Sequence, residues 1–461
     1  MALNGVVSNS ETDFSIASSV QHGYAQSTVD VQFAVKVEAA GLAPYTKYYY
    51  RFESCEGADL GVSPVGIFKT LPAEDDDVTS LRLAFFSCSN LPFGYFNAYG
   101  AAANHSETLD YVQHLGDYIY EYKNGGIQPH FSACCHLNSI KLFSKTMETE
   151  PRLEGWHSPT EKFPVFKTIA SEWLIYLRLY LEASTDRTRP NSRYASILVN
   201  QYRMDPDLQE LHRVLAWQTV WDDHEIADNT WAHGSANSND TIYGQIGDYQ
   251  FSARKANAVR AYFEWMPIRQ VDTDDKLRIW RSFKLGKLAD MTMLDTRVYQ
   301  RSETDLYYNT DIIEAEADSP DRTITGPSQE SWFFDQLTDS TERNATWRLV
   351  MQQVVFSRIN YTLATGGSYE FNEDAWEDIG VAEKLVAASP VLQYAEGQLR
   401  GYVELSITPN NVTADYFGFL TRNSNVTHMG SFTTTKNSNK LDRPLNGGKK
   451  VAFGALGRGA A

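Results

Sequence analysis

The sequence predicts a small all-β domain followed by a larger α/β domain. Two observations carry this expectation. Up to about residue 75, aromatic and β-branched runs are separated by turn chemistry. From Leu81 onward, strands of buried type end in loops that carry Asp, His or Cys, with helix-length stretches between them. The acidic run Ala73-Glu-Asp-Asp-Asp-Val78 breaks the first pattern and marks the boundary. The expected division is an N-terminal domain over 1–75, a second domain over 79–440 and a tail over 441–461.

In the first domain, Val31-Gln-Phe-Ala-Val-Lys-Val37 alternates as a half-buried strand does. Gly41-Leu-Ala-Pro44 supplies a turn, Lys47-Tyr-Tyr-Tyr-Arg-Phe52 an aromatic strand, and Gly66-Ile-Phe-Lys-Thr-Leu-Pro72 a last strand closed by proline. The arrangement resembles a fibronectin-III-like sandwich that is incomplete at its front, because too few strands precede Val31. In the second domain, Leu81 to Phe86 runs into Ser87-Cys88-Ser89-Asn90, and Leu109 to Gln113 leads to His114-Leu-Gly-Asp-Tyr-Ile-Tyr-Glu121. Trp217 to Trp221 runs into Asp222-Asp-His-Glu225, and Met291 to Leu294 into Asp295-Thr-Arg297. Helices are expected over Asp205 to Val214 and Gln250 to Trp265. Gly401 to Ile407 and Val412 to Phe417 flank Asn410-Asn411 as a β-hairpin. The stretch 125–200 has no comparable pattern and reads as an atypical insertion.

At 461 residues, with 42% hydrophobic and 21% charged side chains, the chain can bury a sizeable core. Its formal charge of −17 argues against nucleic acid or an anionic membrane as the main partner, because both would repel it. No nucleic-acid-binding module and no apolar run of spanning length is found. An anionic substrate would need a local reversal of this field, which a bound polyvalent cation supplies. Four cysteines, Cys55, Cys88, Cys134 and Cys135, are too few for a disulfide framework. The first residues lack the pattern of a signal peptide, whereas six Asn-x-Ser/Thr triplets, at Asn104, Asn239, Asn344, Asn360, Asn411 and Asn425, favour secretion.

Asp117 follows a hydrophobic strand, and Tyr120 lies three residues beyond it, so a carboxylate and a phenolate can meet at one point. Such hard oxygen donors suit Fe³⁺, Ca²⁺, Mg²⁺ or Mn²⁺. The competing reading makes Tyr118, Tyr120 and Tyr122 alternating core residues of a strand. Asp222, Asp223, His224 and Glu225 follow an apolar run and would repel one another unless a cation or hydrogen bonds compensate them. Flanking Trp221 and Trp231 argue against the alternative of a solvated acidic loop. Cys88 reads either as a thiolate ligand or as a small buried hydrophobe.

Together Phe85 to Asn90 (F-x-S-C-x-N), His114 to Glu121, Trp221 to Glu225 and Leu294 to Arg297 resemble, in order, the motifs of the PhoD-like alkaline phosphatases. That family is similar to the calcineurin-like and purple acid phosphatases. The resemblance implies a four-layer α-β-β-α metallophosphoesterase sandwich behind a small N-terminal β domain, and a phosphate-ester substrate. It implies Fe³⁺ held by Cys88, Asp117 and Tyr120, with Asp117 bridging to Ca²⁺ or another divalent ion ligated by Asp223. Asp222 would serve as a ligand or as an acceptor behind the ligands. His224 would hydrogen-bond the phosphoryl oxygens, and Arg297 would touch phosphate or pair with a carboxylate.

The same resemblance implies a late Gly-Asp-x-His after the Trp347 to Ser357 strand and Asp374-Ala-Trp376, which this chain lacks; no histidine occurs between His233 and His428. His428 is expected in a surface loop. An insertion and a deletion in one chain are most economically a variant or faulty gene model. The alternative function is therefore a catalytically impaired or inactive relative that acts as a binding or structural protein. A glycosidase using Asp222, Asp223 and Glu225 ranks below both, since neighbours in sequence rarely flank a sugar at the needed separation.

Overall fold

The computed structural model describes residues 2–31, 33–55, 61–91, 95–120, 202–235, 238–239, 251–306, 309–356, 359, 379–420 and 424–457. The expected insertion over 125–200, with Cys134 and Cys135, lies outside these residues, as do Tyr122 and the Asp374-Ala-Trp376 element. In the N-terminal part, β1 (Ala2–Ser8), β2 (Ser19–Gln26), β3 (Lys47–Ser54) and β4 (Gly66–Lys69) form an antiparallel sheet in the order β2-β1-β3-β4. The aromatic run became β3 because its alternate rings stack across the sheet, Tyr48 on Phe68 at 5.7 Å.

Two expectations fail here. Two strands precede Val31, so the front of the domain is not short of strands. Val31 to Val37 is not a strand: a single 3₁₀ turn over Val29–Val31 is followed by irregular chain, with Phe33 at φ 59° and Val37 half exposed. Tertiary contact overrides the alternation, because Lys36 Nζ donates to the carbonyls of Phe263 and Ile268, more than two hundred residues further along the chain.

The larger part begins with β5 (Leu81–Phe86), α1 (Asn97–Asn104) and β6 (Tyr111–His114). It continues through α2 (Pro206–Val214), β7 (Ala216–Thr219), the short pair β8 (Gly234–Ser235) and β9 (Ser238–Asn239), and α3 (Phe251–Trp265). Next come β10 (Arg281–Leu285), β11 (Ala289–Met293), α4 (Thr310–Glu316), α5 (Pro327–Glu342), β12 (Trp347–Met351) and α6 (Ile379–Ala388). The chain closes with β13 (Tyr394–Ala395), β14 (Arg400–Ile407), β15 (Asn411–Phe419), β16 (Thr427–Thr435) and β17 (Ala455–Leu456). One six-stranded sheet has the order β16-β15-β14-β5-β6-β7 and a second the order β10-β11-β12. β5, β6 and β7 run parallel, whereas β14, β15 and β16 pair antiparallel; β17 pairs with β13.

The expected helices and hairpin are present. Helix α2 starts where it does because Asp205 caps it, its carboxylate accepting the N–H groups of Asp207 and Leu208 at 2.9 Å each, with Pro206 in the first turn. Its Leu208, Leu211 and Val214 are buried. The core behind the sheet edge contains Leu83, Ala84, Val112, Trp221, Met291 and Met293, all essentially inaccessible to solvent. His428 lies in β16 rather than in a loop, its imidazole beside Asp415 at 3.2 Å and Ser431 at 3.2 Å. The acidic linker is clamped to β10 and the turn that follows it, with Glu74 against Lys284 and Asp77 against Lys287, both at 2.9 Å.

Candidate metal centre

Parallel strands point their carboxyl ends the same way, so the loops after β5, β6 and β7 open side by side. They bring together Cys88, Asp117 with Tyr120, and Asp222 to Glu225. Ligand atoms of Asp117, Asp223 and His224 lie within 4.8 Å of one another, and all three residues are buried. Asp117 Oδ2 accepts from the Tyr120 hydroxyl at 2.7 Å and from the Cys88 thiol at 3.5 Å. The Tyr120 ring stacks on His224 with centroids 4.0 Å apart.

The loops hold strained backbone. Cys88 and Asp117 have φ of 58° and 53°, and the two turns cross-link by Cys88 N–H to Gly116 O (3.2 Å) and Ser89 N–H to Asp117 O (2.7 Å). Gly116 is required by its φ of 98° and by contact: a Cβ there would stand 2.2 Å from the Asp222 backbone nitrogen. Glu225 ties the loops together from beneath. Its carboxylate accepts the N–H groups of Tyr118 (2.6 Å), Asp222 (2.8 Å) and Asp117 (3.0 Å).

The site crowds anions. Burial, and then the charges of Asp222 and Asp223 working against His224, raise Asp117 to about 7. Burial likewise raises Asp222 to about 6, although Arg297 opposes it. Glu225 is raised by its burial and by Asp117. The Cys88 residue is exposed, yet the protein packed around its sulfur and the charge of Asp117 push the thiol up to about 12. Tyr120 is raised by burial first, then by Cys88 and Asp117. A cluster of this kind is short of positive charge, and its oxygen, sulfur and imidazole donors suit iron or a hard divalent ion. Arg297 gives part of the compensation: Nε donates to Asp222 Oδ1 at 2.6 Å, and Nη2 stands 3.7 Å from Asp223 Oδ1. The Asn229 N–H donates to Asp223 Oδ2 at 2.5 Å.

Every residue singled out from the sequence for this centre is therefore in one place: Cys88, Asp117, Tyr120, Asp222, Asp223, His224 and Arg297. His428 is elsewhere, on β16. Sequence reasoning gave Glu225 a part only in the glycosidase alternative, and gave none to Tyr202 or His114. Tyr202 Oη accepts the N–H groups of Tyr120 at 3.0 Å and Leu91 at 3.3 Å. His114, kept neutral by burial with its pKa lowered to about 3, meets Ser89 Oγ at 3.1 Å and Tyr99 Oη at 3.0 Å.

Fold and cluster together define the class: a mixed α/β protein with a candidate metal centre at the carboxyl edge of its main sheet. The family model described as PhoD-like phosphatase matches residues 83–141 and 192–384, and that of the PhoD-like phosphatase N-terminal domain matches 5–72. The chain belongs to the PhoD-like phosphatase family. It is similar to alkaline phosphatase D of Bacillus subtilis (strain 168), with 32% identity over 360 residues, or 78% of this chain and 50% of that protein. The chain thus spans about half the length of that curated relative. A solved structure described as "Structure of PhoD" superposes with a TM-score of 0.66 at 24% identity, over 96% of this chain and 84% of the other, and supports the fold. Among the described residues no helix is long and apolar enough to cross a membrane.

Proposed function

We propose that this chain is a metal-dependent phosphoesterase that hydrolyses phosphate mono- or diesters. The observation that carries the reading is the convergence of Asp117, Asp223 and His224 within 4.8 Å in a buried site, where the charged forms of Asp117 and Asp222 are disfavoured without a cation. Membership of the PhoD-like phosphatase family supports it. We assign the inner layers of a four-layer α-β-β-α sandwich to the two sheets, and one face of a fibronectin-III-like domain to the N-terminal sheet. The sequons at Asn104, Asn344 and Asn425 are exposed, which fits a secreted protein.

In this reading Cys88, Asp117 and Tyr120 hold Fe³⁺. Asp117 and Asp223 hold Ca²⁺ or another divalent ion, with Asp222 kept beside them as an anion paired to Arg297. When bound, such cations neutralise phosphate oxygens and make water nucleophilic near neutral pH. The protein's own share is placement and charge. Asp228 Oδ1 lies 3.8 Å from His224 Nε2, beside an imidazole that can donate to a phosphoryl oxygen as charge builds on it. Stacking on Tyr120 and the bond from the His224 N–H to Asp117 Oδ1 at 3.2 Å fix the ring's origin. Burial of Asp117, Asp223 and His224 keeps bulk water from screening these interactions.

The test is hydrolysis of a chromogenic phosphate ester by purified protein with Fe³⁺ and Ca²⁺, before and after chelation. Activity that disappears on chelation, returns with metal and is lost in Asp117→Ala supports the proposal. Full activity in Asp117→Ala refutes it.

A further inference from the structure

We propose that Tyr202 is a positioning residue whose hydroxyl clamps the Cys88 loop to the Tyr120 segment, so that thiol and phenol close on Asp117; the inference rests on the proposed metal centre. The Tyr202 oxygen accepts two backbone N–H groups that belong to different loops. Tyr120 N–H donates from the segment after β6 at 3.0 Å, and Leu91 N–H donates from the segment after β5 at 3.3 Å. A phenolic oxygen offers two lone pairs, and these two donors use both.

Tyr120 stands in no strand or helix, and Leu91 opens a 3₁₀ turn, whose first N–H has no partner within the turn, so no ladder would satisfy either donor in the absence of this oxygen. The clamp also lies at the outer end of the paired loops. At their inner end the backbone is already joined through Cys88 to Gly116 and Ser89 to Asp117. The inner fixing falls on residues with left-handed backbone, Cys88 and Asp117, a conformation that persists only where its surroundings hold it. Tyr202 is suited to be the outer fixing. It is 1% exposed, its ring packs on Phe96 at 5.9 Å, and its carbonyl accepts the N–H of Asp205, the cap of α2. The oxygen is thereby referred to the core rather than to either loop.

A positioning role makes different predictions from a simple core contact. In metal-free protein, the Tyr120 and Leu91 amides exchange slowly with deuterium although they lie in loops, and Tyr202→Phe releases both while β5 and β6 keep their protection. Iron affinity, measured by chelator competition, falls about 10- to 100-fold in Tyr202→Phe, the usual range for loss of a group that orients metal ligands. Tyr402→Phe is the comparison: it loses a buried hydroxyl bound to Glu404 at 3.0 Å, away from the centre. It lowers the melting temperature without changing iron affinity. Free exchange of both amides in the wild-type protein, or iron affinity in Tyr202→Phe within twofold of wild type, overturns the proposal. The first of these needs no variant to fold. The metal reading is judged separately: a tyrosinate-to-iron absorption band that is absent from the iron-loaded wild type, or survives in Tyr120→Phe, removes Tyr120 as a ligand and leaves the exchange result to decide on Tyr202.

Discussion

Replacing Asp117 by Asn should stabilise the metal-free protein at alkaline pH while abolishing its capacity to be stabilised by metal. Asp117 is 4% exposed and faces Asp222, Asp223 and Glu225. Raising it from the ordinary 3.8 to about 7 corresponds to about 4 kcal/mol of unfavourable charge once it is fully ionised. The sign follows from linkage. A carboxyl with a raised folded pKa contributes stability that is complete below the unfolded value and lost as pH rises through the folded one. Metal-free wild type should therefore lose stability between about pH 4 and pH 8, and Asp222, at about 6, adds to the slope. Asn removes the Asp117 part. Against this, its amide cannot accept all the bonds now given by Tyr120, Cys88 and the His224 N–H, a loss of about 1–2 kcal/mol. The net expectation at pH 8 is a variant about 2–3 kcal/mol more stable than wild type without metal. At pH 4 it should be equal or weaker. Urea denaturation of chelator-treated proteins from pH 4 to 9, repeated with Fe³⁺ and Ca²⁺, reads both effects. A variant as destabilised at pH 8 as at pH 4 would refute the picture of crowded carboxylates awaiting a cation.

Gly116→Ala should disrupt the centre, because its Cβ would meet the Asp222 nitrogen at 2.2 Å and the backbone is left-handed; phosphatase activity and metal affinity should fall together, and retention of both would contradict the loop geometry. Arg297→Gln leaves Asp222 buried without its cation and should cost about 3–5 kcal/mol in the metal-free protein, less when divalent ion is added; a melting curve unchanged by metal would count against this pairing. In Glu225→Gln an amide N–H₂ must face a backbone N–H, so one buried donor goes unpaired at about 1–3 kcal/mol. Metal titration should show weaker binding there, and an unaltered titration would deny Glu225 its part in joining the loops.

Much of the centre could be read from the chain because each ligand stands at the end of a hydrophobic run. Leu81 to Phe86 and the run ending at Trp221 must be buried, and the polar residues that follow them emerge at one sheet edge. The helix expected over Asp205 to Val214 and the hairpin around Asn410-Asn411 were equally local signals. Alternation misled at Val31 to Val37, where Lys36 reaches the carbonyls of Phe263 and Ile268 and the described residues join no sheet edge.

By itself, the sequence determined which side chains are chemically able to hold a cation and which strands carry them. Tertiary structure alone decided that the loops after β5, β6 and β7 are neighbours, that Arg297 turns toward Asp222, and that Tyr202 supplies one oxygen to two loops. The reason is the range of the interactions. Burial and secondary-structure periodicity act between residues close in the chain, whereas hydrogen bonds across 82 or 111 residues depend on where packing brings the backbone.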